Sequence, residues 1–334
     1  MFRLAIVALL AVGIAGAAPS EQDLLRAIAA HPGDPGPHTE YAIHLQSRGR
    51  AVEAVAHFRT AYDLAPGAPA AVYNLALGLL AAERPVDALA LLDKHPASRP
   101  DEHALRGSVL NALGRPRDAA QSLRRAVALD PNDADTVYDL ALTLLRIDSG
   151  TEALALLDKA RARFPGAAKI HAASGAAAYA AGKNDAAVRA YETAVKLEPG
   201  AADFHLSLGD VYVATGDFAR AESAYARSLR LEPEAAPAWV KRGKNLLKLQ
   251  RPQEARQAFE RALRIEPANA EALFETGKLE AAGGDHAAAI AHWERAVRAA
   301  PGMKEAWYQL SIAYRRSGDD EKSKAAAERY RTAK

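Results

Sequence analysis

Prolines recur along this chain at an even step. Pro131, Pro165, Pro199, Pro233, Pro267 and Pro301 follow one another at intervals of 34 residues, and Pro32, Pro66 and Pro100 keep the same interval. One shorter step of 31 joins Pro100 to Pro131. Proline donates no backbone hydrogen bond and stops a helix, so the ladder cuts the chain into units of nearly equal length. A unit that small leaves one face uncovered and needs a copy of itself alongside. The 334 residues would otherwise suggest about two globular domains. The period overrides that expectation.

Residues 202–235 set the pattern. They read as two amphipathic helices joined by Thr215-Gly216-Asp217. The first carries Leu208, Gly209 and Tyr212 on one face, and the second carries Phe218, Ala221, Tyr225 and Leu229 at helical spacing. Gly216 ends the first helix, because glycine enters the left-handed region at little cost, and Pro233 ends the second.

Counted from three residues after each proline, with the third unit offset by the short step, the units share a register. The eighth position is always small: Ala42, Ala76, Gly107, Ala141, Gly175, Gly209, Gly243, Gly277 and Ser311. So is the twentieth: Ala54, Ala88, Ala119, Ala153, Ala187, Ala221, Ala255, Ala289 and Ser323. The twenty-fourth is large in eight units: Phe58, Leu92, Leu123, Leu157, Tyr191, Tyr225, Phe259 and Trp293. The small positions are expected where the two helices of a hairpin cross, and the large ones in the gap between one hairpin and the next. A generic alanine-rich bundle would have no such register.

A helix-turn-helix unit of about 34 residues with these positions resembles the tetratricopeptide repeat, and the resemblance covers nearly the whole chain. It implies an all-α fold, an α-solenoid wound as a right-handed superhelix of about nine repeats, with first helices forming the concave wall.

The segments outside the repeats have their own readings. Residues 1–17 have the form of a cleavable signal peptide: Arg3, an apolar run from Leu4 to Ile14, and Ala15-Gly16-Ala17 as the cleavage site. The run is shorter than the roughly 20 residues that span a bilayer. Export to a periplasmic or secreted location is therefore expected, with no stable membrane insertion after cleavage. Residues 18–34 are expected to form a capping helix, with Ser20 and Asp23 as its capping pair and Leu24, Leu25 and Ile28 as its apolar face. Residues 35–334 then form nine repeats, the last a polar C-terminal cap. Glu83 and Asp148 replace the usual turn glycine, and Lys94-His95-Pro96 marks an irregular joint.

Little chemistry is expected. The chain has no cysteine, which removes disulfides, thiolate metal sites and thiol nucleophiles. No HExxH pair, phosphate loop or nucleophile elbow is present, and Asn132, Asp133 and Asp135 suit a turn and helix start better than a calcium loop. His171 and His205 share the fourth position and are expected to pack between helices. Neither catalysis, a cofactor nor a metal is expected. A net charge of +2 argues against nucleic acid as a partner.

The expected partner is a protein or peptide segment held in the groove. The resemblance implies that groove-facing side chains come from positions two, five, nine and twelve. These are Tyr73, Leu77, Leu80, Tyr138, Leu142, Leu145 and Tyr179 in the first half, with Asp135, Asp203 and Asp210 between. Lys244, Phe274, Lys278, Tyr308, Ile312 and Arg315 follow in the second. Residues 236–334 hold 19 Lys and Arg against 13 Asp and Glu, a net of +6, while residues 18–235 hold 23 against 28, a net of −5. The aromatics are expected to supply burial and the basic residues to hold carboxylates. The Lys-Asn-Asn-Lys-Arg arrangement by which some family members clamp a C-terminal carboxylate is not reproduced. The leading expectation is a non-enzymatic scaffold serving envelope biogenesis, secretion or polysaccharide export; the alternative is a glycan-binding or sensory module of a larger envelope system.

Overall fold

The computed structural model describes residues 19–333, and the expected signal peptide at 1–17 lies outside them. Among the described residues every element is an α-helix, and they fall into two compact units that meet in sequence at Phe164 and Pro165.

The first unit begins with α1 (Glu21–Ala30). Four hairpins follow: α2 (Pro35–Ser47) with α3 (Ala51–Leu64), α4 (Pro69–Ala81) with α5 (Pro85–Lys94), α6 (Pro100–Ala112) with α7 (Pro116–Leu129), and α8 (Ala134–Arg146) with α9 (Gly150–Arg163). The second unit has five: α10 (Ala168–Ala180) with α11 (Asn184–Leu197), α12 (Ala202–Ala214) with α13 (Phe218–Leu231), α14 (Ala236–Lys248) with α15 (Pro252–Ile265), α16 (Ala270–Ala282) with α17 (His286–Ala299), and α18 (Lys304–Arg316) with α19 (Asp320–Thr332). At ten residues α5 is shorter than any other second helix, and His95 of the irregular joint after it is hydrogen-bonded to the Tyr62 hydroxyl at 3.0 Å.

The helix ends are set locally. Ser20 and Asp23 form a reciprocal capping box on α1, and Asp133, Asp217, Asn269 and Asp285 accept backbone N–H groups at the starts of their helices. Each hairpin turns through a residue with positive φ. Gly216 has φ 80°, and the next N–H, that of Asp217, returns to the Tyr212 carbonyl at 2.9 Å, closing the first helix. Glu83, Asp148 and Gln250 hold the same left-handed conformation without being glycine. The turn is over-determined by the packing on either side and keeps its shape at some cost in strain.

The register explains the packing. All the alanines of the twentieth position have no exposed surface. In the last hairpin the Ser323 hydroxyl donates to the Ser311 carbonyl at 2.8 Å, so positions twenty and eight face each other where the helices cross. The large twenty-fourth side chain departs from expectation. It lies inside its own hairpin, over position eight. A methyl group on Gly209 would stand 2.5 Å from the Tyr225 ring, on Gly243 2.5 Å from Phe259, and on Gly277 2.5 Å from Trp293. The expected reach into the next hairpin is seen at Phe58, against which a methyl on Gly78 would stand 2.6 Å away. The bare backbone of each of these glycines leaves room for the ring.

The helix α1 closes one end of the first unit. Leu24 is buried and Ile28 packs on the same core, while the Glu21 carboxylate accepts from the Tyr41 hydroxyl and from Arg50, both at 2.8 Å. At the other end of the chain, α19 buries only Ser323 and Ala326. That suits a helix with one covered face.

Candidate functional site: the first-helix walls

Within each unit the hairpins stack so that first helices touch one another. The pairs α2–α4, α4–α6 and α6–α8 pack in the first unit, and α10–α12 and α14–α16 in the second; no pair of successive second helices packs to the same extent. The first-helix side is therefore the tighter, inner side of each stack. Positions five and nine line it.

In the first unit this wall is apolar and aromatic. Tyr73 and Leu77 on α4 are half-buried against the core, and Tyr138 and Leu142 on α8 are likewise half-buried. Burial pushes the Tyr73 phenol above its ordinary range; the Asp101 and Asp133 carboxylates add to this and Arg99 offsets it. Asp101 pairs with Arg99 at 3.0 Å, and Asp133 caps α8 through the Asp135 N–H at 2.9 Å. Asp139, at position six of α8, is half-buried and is held at a pKa of about 6, first by desolvation and then by the charge of Asp133.

The wall of the second unit differs from expectation. Lys244 and Lys278 do not stand free to hold a partner's carboxylates. Lys244 donates to Glu271 at 2.6 Å, and Lys278 donates to Glu275 at 2.9 Å while its ammonium lies 5.4 Å from the centre of the Phe274 ring. Asp210 accepts from the Tyr225 hydroxyl at 2.8 Å and pairs with Lys241. Three carboxylates thus meet three ammonium groups along α12, α14 and α16, and the local charge cancels. The positive balance of residues 236–334 does not make this wall basic. Arg315 is exposed and, among the described residues, forms no ion pair. Tyr179 and Tyr308 are 43% and 47% exposed, and the Tyr308 ring stands 5.5 Å from that of Tyr330 on α19.

One recurring device escaped the sequence reading. His171 and His205 do not simply pack. Their Nε2 groups donate to the carbonyls of Pro165 and Pro199 at 3.0 and 3.1 Å. Trp239 and Trp307, at the same position, donate to the carbonyls of Pro233 and Pro301 at 2.8 and 2.9 Å. A proline carbonyl cannot donate, so each histidine carries its proton on Nε2. Pro165, Pro199, Pro233 and Pro301 are thus tied down by the helix that follows each, while the Pro131 and Pro267 carbonyls accept instead from Arg163 and Arg295. The shared feature, an N–H-bearing ring six residues after the proline, was visible in the sequence.

The tetratricopeptide-repeat models match residues 45–108 and 110–176, and then 173–239, 240–303 and 282–334. The chain is a tetratricopeptide-repeat protein. No curated protein matches it in sequence. Among solved tetratricopeptide-like structures, it resembles the Cut9–Hcn1 hetero-tetramer of the APC/C at 16% identity and a TM-score of 0.59, over 87% of this chain and 58% of that one. That likeness shows the solenoid fold. MamA matches at 24% identity and a TM-score of 0.44, over 47% of this chain and 91% of its own. YrrB, described as a TPR protein with an unusual peptide-binding site, matches at 22% and 0.43, over 54% and 94%. Tetratricopeptide stacks are protein-interaction scaffolds and generally not catalysts. Among the described residues, no three His, Asp or Glu side chains converge as a metal site requires, and no helix is long and apolar enough to cross a membrane.

Proposed function

We propose that this tetratricopeptide protein is a non-enzymatic scaffold of the cell envelope or secreted space, and that it holds a segment of a partner protein along the first-helix wall of residues 35–164. The observation that carries the reading is the row Tyr73, Leu77, Tyr138 and Leu142, half-buried on the inner side of the stack. Rigid phenol rings with one edge in solvent give a partner apolar area at small cost in conformational freedom. The leader-like sequence at 1–17 supports export. A glycan is the weaker occupant. Trp293 is 3% exposed and donates to the Phe274 carbonyl at 3.1 Å, and Trp239 and Trp307 are bound to proline carbonyls, so the indoles that would stack on sugar rings are engaged.

The test is capture from an envelope extract by the full chain and by the Tyr73→Ala, Tyr138→Ala double variant. The expected result is one partner retained by the wild type, with mature protein beginning at Ala18, and lost by the variant at an unchanged fold. Retention of that partner by the variant would place binding elsewhere, and a chain beginning at Met1 would remove the export reading.

A further inference from the structure

In the second unit, position nine of one first helix and position six of the next share a seam, and charge there is answered within the chain. Asp210 pairs with Lys241 across that seam. The Lys244 ammonium feels Glu275 across the following one while bonding Glu271. The seam between α6 and α8 breaks this rule. Its position six is Asp139, and its position nine is Ser108, whose hydroxyl is turned back to the Ala104 carbonyl at 3.2 Å. Among the described residues the Asp139 carboxylate makes no ion pair or hydrogen bond, while its backbone carbonyl accepts from the Thr143 hydroxyl at 2.7 Å. The charge that bears on it, Asp133, also bears on Tyr73, so the three side chains share one neighbourhood of the wall. Asp101 bears on Tyr73 as well.

We infer that the segment docking on this wall is cationic, and that a lysine or arginine of the partner enters the α6–α8 seam to pair with Asp139 while its apolar neighbours lie on Tyr73 and Tyr138. This rests on the groove reading above and names the chemistry of its occupant. A carboxylate in an apolar, partly dry setting gains more from a cation than one in water does. A phenol face beside it adds attraction for the same charge. An acidic segment would face the Asp133 and Asp139 carboxylates, and like-charge juxtaposition rejects a partner strongly.

The inference is tested with the full chain and two labelled synthetic peptides, one of alternating lysine and leucine and its glutamate–leucine counterpart, by fluorescence anisotropy at fixed salt. The lysine peptide is expected to bind and the glutamate peptide not to. Asp139→Asn, which keeps the side chain's shape, is expected to weaken lysine-peptide binding about tenfold or more. Glu271→Gln, on the wall of the other unit, is expected to change it less than about twofold, which separates a built seam from diffuse attraction. Equal weakening by both variants, binding indifferent to Asp139→Asn, or preference for the glutamate peptide would each overturn the inference. If lysine-peptide binding is lost in the Tyr73→Ala, Tyr138→Ala variant but survives Asp139→Asn, the groove reading stands and the cationic occupant falls; if Asp139→Asn weakens it and the tyrosine variant does not, the apolar wall itself is refuted.

Discussion

Replacing Phe259 with alanine is expected to destabilise the second unit by about 3–5 kcal/mol, read as a lower midpoint in urea. The ring has no exposed surface and sits against the bare backbone of Gly243, where even a methyl would stand 2.5 Å from Cε1. Removing it leaves a hole on two sides, because the crossing at Ala255 is already closed and cannot collapse inward. A solenoid passes stability between neighbouring repeats, so loss at α14–α15 should also lower the cooperativity with which α12–α13 and α16–α17 melt. A loss under about 1 kcal/mol would mean that the ring is not where the hairpin is held together.

Asp139→Asn is expected to act the other way, stabilising the first unit by about 2 kcal/mol at neutral pH and by close to nothing near pH 4. The sign follows from the shift. The carboxyl titrates at about 6 in the folded chain against 3.8 when free, so the folded state binds its proton more tightly. Wild-type stability is favoured by that group below the free value and is lost as pH rises from about 4 through about 6. The amide has no proton to release, so the variant should not show this loss. Urea midpoints measured at pH 4 and pH 7 check it, with a gain equal at both values counting against a buried, repelled carboxylate. A residue that weakens its own fold on the proposed docking wall fits function taking precedence over stability.

Much of the fold was legible because the signals were local or periodic. Gly216 and Pro233 marked where helices end, and the invariably small side chains at Gly209 and Ala221 marked where they cross. What the register could not give was direction along the stack. Tyr225 was assigned to the gap between hairpins, but its ring lies over Gly209 in its own hairpin, because a helix periodicity fixes a face without saying which neighbour fills it. Gln250 went unremarked at the turn because its left-handed φ of 58° carries no local signal; tertiary packing imposes it.

The site was less legible, for a reason of scale. Lys244 and Lys278 read as free cations because their partners lie elsewhere: Glu271 belongs to the next repeat, and Glu275 sits three residues before Lys278 on a face that only the fold orients. Net charge over residues 236–334 counted the same groups without their pairing. Asp139 carries no signal of its own, because one aspartate on a helix is unremarkable until the fold sets Ser108 opposite it on the neighbouring helix.

The central claim is that, where position eight is glycine, the hairpin is held by the large position-twenty-four side chain seated on it, as Leu123, Tyr191, Tyr225, Phe259 and Trp293 are. A double-mutant cycle in urea on Gly243→Ala, Phe259→Leu and the two combined tests it most directly. Ala76 with Leu92 and Ala141 with Leu157 already fill those two positions, so the combined variant should recover at least about 1 kcal/mol of the summed single losses. Losses that simply add, to within about 0.5 kcal/mol, would contradict it.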